Sequence, residues 1–298
     1  MIKRFSLQFS ESRVGRIFWH ARFGLRKHCI SCSYCKLWKL SDRRLECARC
    51  HKRFTLTTYT YLNFSTLALD KWFELIWWFV YGFTPHKAAE ELQTDQKLLH
   101  RCFSTIRKAI YDYEEAEMEK LVGTVEVDET YIGPKFKNRK KRKREYLKRM
   151  GIVNRGRGAK KLLQPVFGMY QREGLVYIQF IKDAGKKTLQ DIIRGKVELE
   201  SVVYSDTWRS YEGLDTEGYT HETIDHGNSE YVREGTIHIN GIEGFWGYLK
   251  ERLRKHHGVA QYNLIYYVKE QEFRFNHKHL SSEKIVEKII HILMNSTP

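Results

Sequence analysis

Three carboxylates set far apart along the chain, Asp128, Asp206 and Glu243, and two tight cysteine pairs are the residues whose types and spacing could do chemistry. Carboxylate oxygens suit hard divalent cations, Mg2+ or Mn2+ rather than zinc. Phosphodiester cleavage uses two such ions, about 4 Å apart, to activate the attacking oxygen and stabilise the departing one. In a site of that kind Asp128 would be shared by both ions, while Asp206 and Glu243 would each complete one. Lys250 follows Glu243 by seven residues, about two helical turns, so its ammonium shares a helix face with Glu243 and could hold a phosphate beside the metals. Taken singly, each of these residues has an ordinary reading: strand-end aspartates serve as turn or capping acids, and Glu243 and Lys250 as solvated helix residues.

The cysteines pose a separate question. Five of the six lie between Cys29 and Cys50, and such clustering points to metal binding over disulfides in a reducing compartment. Cys32 pairs with Cys35 and Cys47 with Cys50 at C-x2-C spacing, and the intervening KLWKLSDRRLE is short enough for a hairpin to bring both pairs onto one ion. Four thiolates match the tetrahedral preference of one structural Zn2+, so residues 29–56 read as a zinc ribbon. Cys29 stands at the same spacing before Cys32, which leaves a shifted ligand set open. Lys36, Trp38, Lys39, Arg43, Arg44, Arg49, Lys52 and Arg53 surround the pairs with basic and aromatic side chains suited to phosphate contact and stacking, or to a solvated basic rim. Cys102, far from the others, reads as a packed core thiol.

These groups need elements to position them. The 298 residues, 42% of them hydrophobic, can bury a sizeable core with room for one larger domain and smaller modules. A formal charge of +16 calls for a polyanionic partner, and nucleic acid leads. No apolar run approaches the roughly 20 residues needed to span a bilayer, and no signal-peptide core follows the polar start, so the expectation is a cytoplasmic protein associated with chromosomal DNA and no membrane. Behind the ribbon, from 61 to 120, LALDKWFELIWWFVYG is apolar at helical intervals until Gly82 and Pro85 break it. HKAAEEL, a QTDQ turn and KLLHRCFSTIRKAIYDY then read as a helix-turn-helix whose second helix carries Lys97, His100, Arg101, Arg107 and Lys108 towards DNA. From 121 the character changes. TVEVDETYIG alternates as a strand, so Asp128 and Glu129 point to opposite faces. A strand pair in PVFGMYQREGLVYIQFIKD, a helix in KKTLQDIIRGKVE, a strand in SVVYSDTWRSY ending in Asp206, and a helix in NGIEGFWGYLKERLRKHHG carrying Glu243 complete a mixed sheet with flanking helices.

The motifs VEVDETYIG, VVYSDTWRSY, YTHETIDHG and HINGIEGFWGYLK, in that order behind CSYC and CARCHKRF, resemble the ISXO-type insertion-sequence transposases, a branch of the DDE superfamily related to the Merlin elements. The likeness runs over nearly the whole chain. It implies an α/β catalytic domain of RNase H-like fold over 121–298, two Mg2+ ions (or Mn2+), and DNA cleavage and strand transfer at inverted-repeat ends. It also implies double-stranded DNA, both transposon ends and target, as the partner of a homodimer or larger synaptic assembly. The positions carry over as Asp128, Asp206 and Glu243 for the three acids and Lys250 for the trailing lysine. Some relatives use an asparagine in the acidic role, which makes Asn240 a second candidate for metal contact; its other reading, with His238, is a residue that fixes or caps the start of the helix.

One departure is the segment 134–161, which holds fourteen Lys and Arg. It reads as a flexible basic loop, with Lys140, Lys141, Arg142 and Lys143 clamping DNA or merely solvated. Trp208 and Trp246, next to the second and third acids, would stack on bases or pack in the core. Two rival functions remain open: a non-enzymatic DNA-binding regulator, and an RNase H-like nuclease without strand transfer.

Overall fold

The computed structural model describes residues 10–133, 139–151, 163–207, 209–224 and 239–297. Trp208, His238 and residues 134–138 and 152–161 of the basic segment lie outside them. Two compact units divide the chain: residues up to Glu117 together with those from His277 on, and Met118–Asn276. Residues from His277 on, expected from the sequence to fold with 121–276, group with the front unit.

In the first unit, helix α1 (Glu11–Phe23) precedes a three-stranded antiparallel sheet of β1 (Leu37–Lys39), β2 (Leu45–Cys47) and β3 (Arg53–Phe54). Helices α2 (Leu69–Val80), α3 (Pro85–Leu92) and α4 (Gln96–Glu117) follow, and a final helix, Ser282–Asn295, packs against α1, α2 and α4. Every residue of α2 from Trp72 to Val80 is buried, the mark of a helix at the centre of a bundle. Thr84 caps α3, accepting from the Lys87 N–H at 3.3 Å, with Pro85 in the first turn. Asp95 does the same for α4, accepting from the N–H groups of Lys97 and Leu98. The two helices read from the sequence are therefore separately capped and joined by a short turn. Cys102 is buried in α4, and burial pushes its thiol up to about 11, as a packed core thiol should be.

The second unit is built on a five-stranded sheet. Its strands are β4 (Thr124–Ile132), β5 (Gln164–Gln171), β6 (Val176–Phe180), β7 (Val202–Asp206) and β8 (Thr220–Ile224), in the order β6-β5-β4-β7-β8. The first three pair antiparallel, whereas β4 with β7 and β7 with β8 are parallel; this is the mixed sheet of the RNase H-like fold. Helix α5 (Lys141–Arg149) lies between β4 and β5, and α6 (Lys186–Lys196) between β6 and β7; α7 (Asn240–Arg254) and α8 (Leu264–Asn276) come after β8. The last helix of the chain, Ser282–Asn295, is α9.

The alternation of β4 explains why both sheet faces can be covered. Val125 and Val127 enter one core with Phe167, Met169, Val203, Leu189 and Ile193, beneath α6. On the opposite face Val166, Ile178 and Tyr204 pack with Ile242, Phe245, Trp246 and Leu249 of α7 and Val268 of α8. The edge strand β6 is closed by side chains: Asn276 accepts from the Val176 N–H at 2.8 Å and donates to its carbonyl at 2.9 Å, and Glu272 accepts from the Ile178 N–H at 3.0 Å. These bonds occupy backbone groups that an open edge would offer to another chain.

Candidate active site and cysteine cluster

Parallel pairing of β4 with β7 sets Glu126 beside Tyr204, and two residues further along each strand come Asp128 and Asp206. Asp206 therefore ends β7, while Asp128 stands midway along β4, just past the stretch that pairs with β7. The third acid, Glu243, sits in the first turn of α7, exposed, over the face that carries Asp128. Burial pushes the Asp128 carboxyl up to about 6, and the charges of Asp206 and Glu243 push in the same direction, against hydrogen bonds from the Glu129 backbone and the Trp246 indole.

Trp246 is a buried core residue, not a free stacking surface. Its indole N–H donates to Asp128 Oδ2 at 2.9 Å. The ring reaches that oxygen by crossing Gly168, the residue paired with Asp128 on β5; a Cβ there would meet the ring at 2.5 Å. Gly168 is thus required by the close approach. Glu129 faces the other side, as the alternation predicted, and accepts a hydrogen bond from the buried Tyr211 hydroxyl at 2.8 Å. Burial and the neighbouring Asp128 and Asp206 charges push the Glu129 carboxyl up to about 7, opposed by the Tyr211 bond.

Lys250 is exposed on α7 on the same side as Glu243. Between them Gly244 and Gly247 leave the helix surface bare, since a Cβ at either would meet nothing within 4 Å. Asn240 is exposed and is the first residue inside the helix, so it is not the cap; that position is Ile239, whose side chain makes no capping bond. The carboxylate that does meet the helix start is Glu126, which accepts from the Ile242 N–H at 3.0 Å. Sequence reasoning missed Glu126, Gly168 and Tyr211, whose roles come from cross-strand register and tertiary packing.

In the front unit the thiols that gather are Cys29, Cys32, Cys47 and Cys50, all within 4.8 Å of one another. Cys35, expected in the set, is exposed and lies outside it, its Sγ 3.9 Å from the Ser33 carbonyl. The reason is a repeated turn. In each knuckle the residue after the second cysteine, Ser33 or the one at His51, takes a positive φ and donates its N–H to the carbonyl of the first cysteine at 3.0 Å. In each, a second N–H, from Ser31 or Arg49, donates to the first sulfur at 3.4 Å. The distances of 3.6 Å for Cys29–Cys50 and 3.5 Å for Cys32–Cys47 compare with about 3.8 Å between sulfurs in a tetrahedron of 2.3 Å Zn–S bonds. The donor set fits Zn2+.

The basic residues divide. On α4, Lys97, His100, Arg101 and Lys108 are exposed, but Arg107 is 2% exposed, its guanidinium over the rings of Phe79 and Phe103. The expectation that Arg107 faces DNA is corrected: it packs in the bundle. The basic segment contains a helix rather than a loop over Lys141–Arg149, anchored by the buried Leu147, with Lys140, Lys141, Arg142 and Lys143 exposed. Among the described residues no helix is long and apolar enough to cross a membrane.

Known proteins resemble this chain over much of its length. The family model described as the ISXO2-like transposase domain matches residues 120–276. An uncharacterized transposase-like protein of Haemophilus influenzae is 39% identical over 108 residues, covering 36% of this chain and 86% of that protein. An uncharacterized protein in transposable element ISH50 of Halobacterium salinarum is 27% identical over 274 residues, 89% of this chain and 90% of the relative. Among solved structures, the Mos1 transposase paired-end complex with left transposon end aligns over 72% of this chain and 76% of that one, at 11% identity and a TM-score of 0.22, too remote a likeness to carry an argument.

Proposed function

Because the chain belongs to the family of the ISXO2-like transposase domain, we propose that it cleaves DNA at the ends of its own element and joins those ends to a target. The observation that supports this reading is geometric: Asp128 and Asp206 lie on neighbouring parallel strands, and Glu243 lies in the first turn of the helix whose Trp246 bonds Asp128. Crowded like charges are costly without a cation, and an all-oxygen donor set fits Mg2+ or Mn2+. Asp128, Asp206 and Glu243 would hold the ions. When bound, a pair of Mg2+ ions supplies activation of the attacking oxygen and stabilisation of the departing one.

What the chain itself contributes is position. Trp246 fixes one oxygen of Asp128 through its indole N–H. Lys250, on the bare side of α7, would hold a phosphate next to the acids. A water or a DNA 3′-hydroxyl attacks phosphorus there, one P–O bond forming as the opposite one breaks, with the attacking group's proton passing to solvent. Lys140, Lys141, Arg142 and Lys143 on and beside α5 and Arg101 on α4 would meet DNA phosphates, and Cys29, Cys32, Cys47 and Cys50 would hold one structural Zn2+. Pairing of two element ends calls for a homodimer or larger assembly.

The test is single-turnover cleavage of an end fragment in Mg2+ by Asp128→Asn, Asp206→Asn, Glu243→Gln and Asn240→Ala. The three acid variants should bind DNA normally and lose cleavage by several orders of magnitude, as expected when a metal ligand is lost, while Asn240→Ala should retain most of it. An active Glu243→Gln beside a dead Asn240→Ala would contradict the assignment of the third acid.

A further inference from the structure

Glu243 owes its place to the helix that carries it, and the start of that helix is held by a group outside every expected site. Four N–H groups at a helix N-terminus have no partner within the helix, and they favour a negative charge nearby. In α7 the first internal bond runs from the Glu243 N–H to the Ile239 carbonyl, so the Ile242 N–H just before it must look elsewhere. It donates to Glu126 Oε2 at 3.0 Å. Glu126 comes from β4, two residues before Asp128, with its side chain 1% exposed, and its other oxygen accepts from Arg172 Nε at 2.9 Å. Arg172 lies in turn over the ring of Tyr204, the neighbour of Glu126 on β7. The fit is close: a Cβ on Gly241 would run into the Tyr170 ring and come within 2.8 Å of Glu126 Oε2. One turn further on, Trp246 makes the bond to Asp128 already described.

We propose that Glu126 and Arg172 are a positioning pair, which locks the first turn of α7 to β4 and thereby sets Glu243 at its working distance from Asp128. The inference rests on the reading of Asp128, Asp206 and Glu243 as ligands of divalent cations. Its chemistry is specific, because a carboxylate has two acceptor oxygens for two donors, whereas a glutamine has one. Glu126→Gln must therefore abandon either Ile242 or Arg172, and its amide N–H2 faces whichever donor it abandons. Removing the guanidinium as well, in the Glu126→Gln/Arg172→Met variant, frees the single glutamine oxygen for Ile242.

The experiment is a Mn2+ titration of the full chain without DNA, following free Mn2+ by electron paramagnetic resonance, below each variant's unfolding midpoint as checked by circular dichroism. Glu126→Gln should weaken Mn2+ binding roughly 10-fold, the lower end of what loss of a ligand-orienting partner costs, and the double variant should recover most of that loss. Gly241→Ala, which pushes the helix start off Glu126, should weaken binding similarly and serves if Glu126→Gln does not fold. Asp206→Asn is the control for the underlying reading. Wild-type affinity in Glu126→Gln or Gly241→Ala, with binding lost in Asp206→Asn, would overturn the positioning role and leave the ligand assignment standing. Unchanged binding in Asp206→Asn would instead overturn the assignment and the inference with it.

Discussion

The indole of Trp246 has a single N–H, and Asp128 receives it. A hydrogen bond to a charged group contributes about 1.5–3 kcal/mol, and about 1.4 kcal/mol corresponds to a factor of ten in rate. Trp246→Phe keeps a ring over Gly168 but loses the donor, so it should fold normally and slow Mg2+-dependent cleavage about 10- to 100-fold in a single-turnover assay; an unchanged rate would reduce Trp246 to packing. The acids and Lys250 were candidates from the sequence because residue type, order and motif all pointed to them, and the structure describes each of their positions without testing their roles. Glu126 and Gly168 were not, although they stand in plain strand patterns. Their partners are set by the register of β4 against β5 and by the path of α7, which period-2 alternation leaves free. The ligand set of the cysteine cluster was half legible: spacing allowed either Cys29 or Cys35, and only the repeated turn at Ser33 and His51 separates them.

At the scale of elements, that distinction makes a sharp prediction. Cys29→Ser should release zinc and loosen residues 29–56, whereas Cys35→Ser should keep one zinc per chain; elemental analysis of the two purified variants decides it, and the opposite pattern would restore Cys35 to the set. Helix α4 offers another contrast. Arg101→Ala removes an exposed charge and should lower the salt dependence of DNA binding. Arg107→Ala empties a buried, ring-stacked site and should instead destabilise the fold by about 2–4 kcal/mol, read from denaturant unfolding, with little change in the salt slope. The elements with strong periodicity, α2, α4, β4 and α7, stood out in the sequence. Helix α5 did not, because in KRKREYLKR Leu147 is the one buried residue and the charge density matches a solvated loop. Strand β8 is five residues of mixed polarity, THETI, whose place comes from pairing with β7 rather than from its own pattern.

At the scale of the whole molecule, the excess of 52 basic over 36 acidic residues is a prediction about salt. Replacing Lys140, Lys141, Arg142 and Lys143 by alanine should flatten the dependence of DNA affinity on salt by up to about 0.9 in log–log slope for each phosphate no longer neutralised; an unchanged slope would make α5 a solvated surface. The two-unit division, with 277–298 folded onto the front unit, was hidden from the sequence, since an amphipathic C-terminal helix carries no mark of which core it will join. Whether the acids of the second unit perform both cleavage and joining is tested most directly by one incubation. The purified chain and its Glu243→Gln variant are each held in Mg2+ with DNA fragments bearing the ends that flank its own gene, and joined products are scored. Joined ends are expected with the wild-type chain and none with Glu243→Gln at equal DNA binding. Undiminished joining by Glu243→Gln, or bound ends that the wild-type chain never cuts, would contradict the assignment.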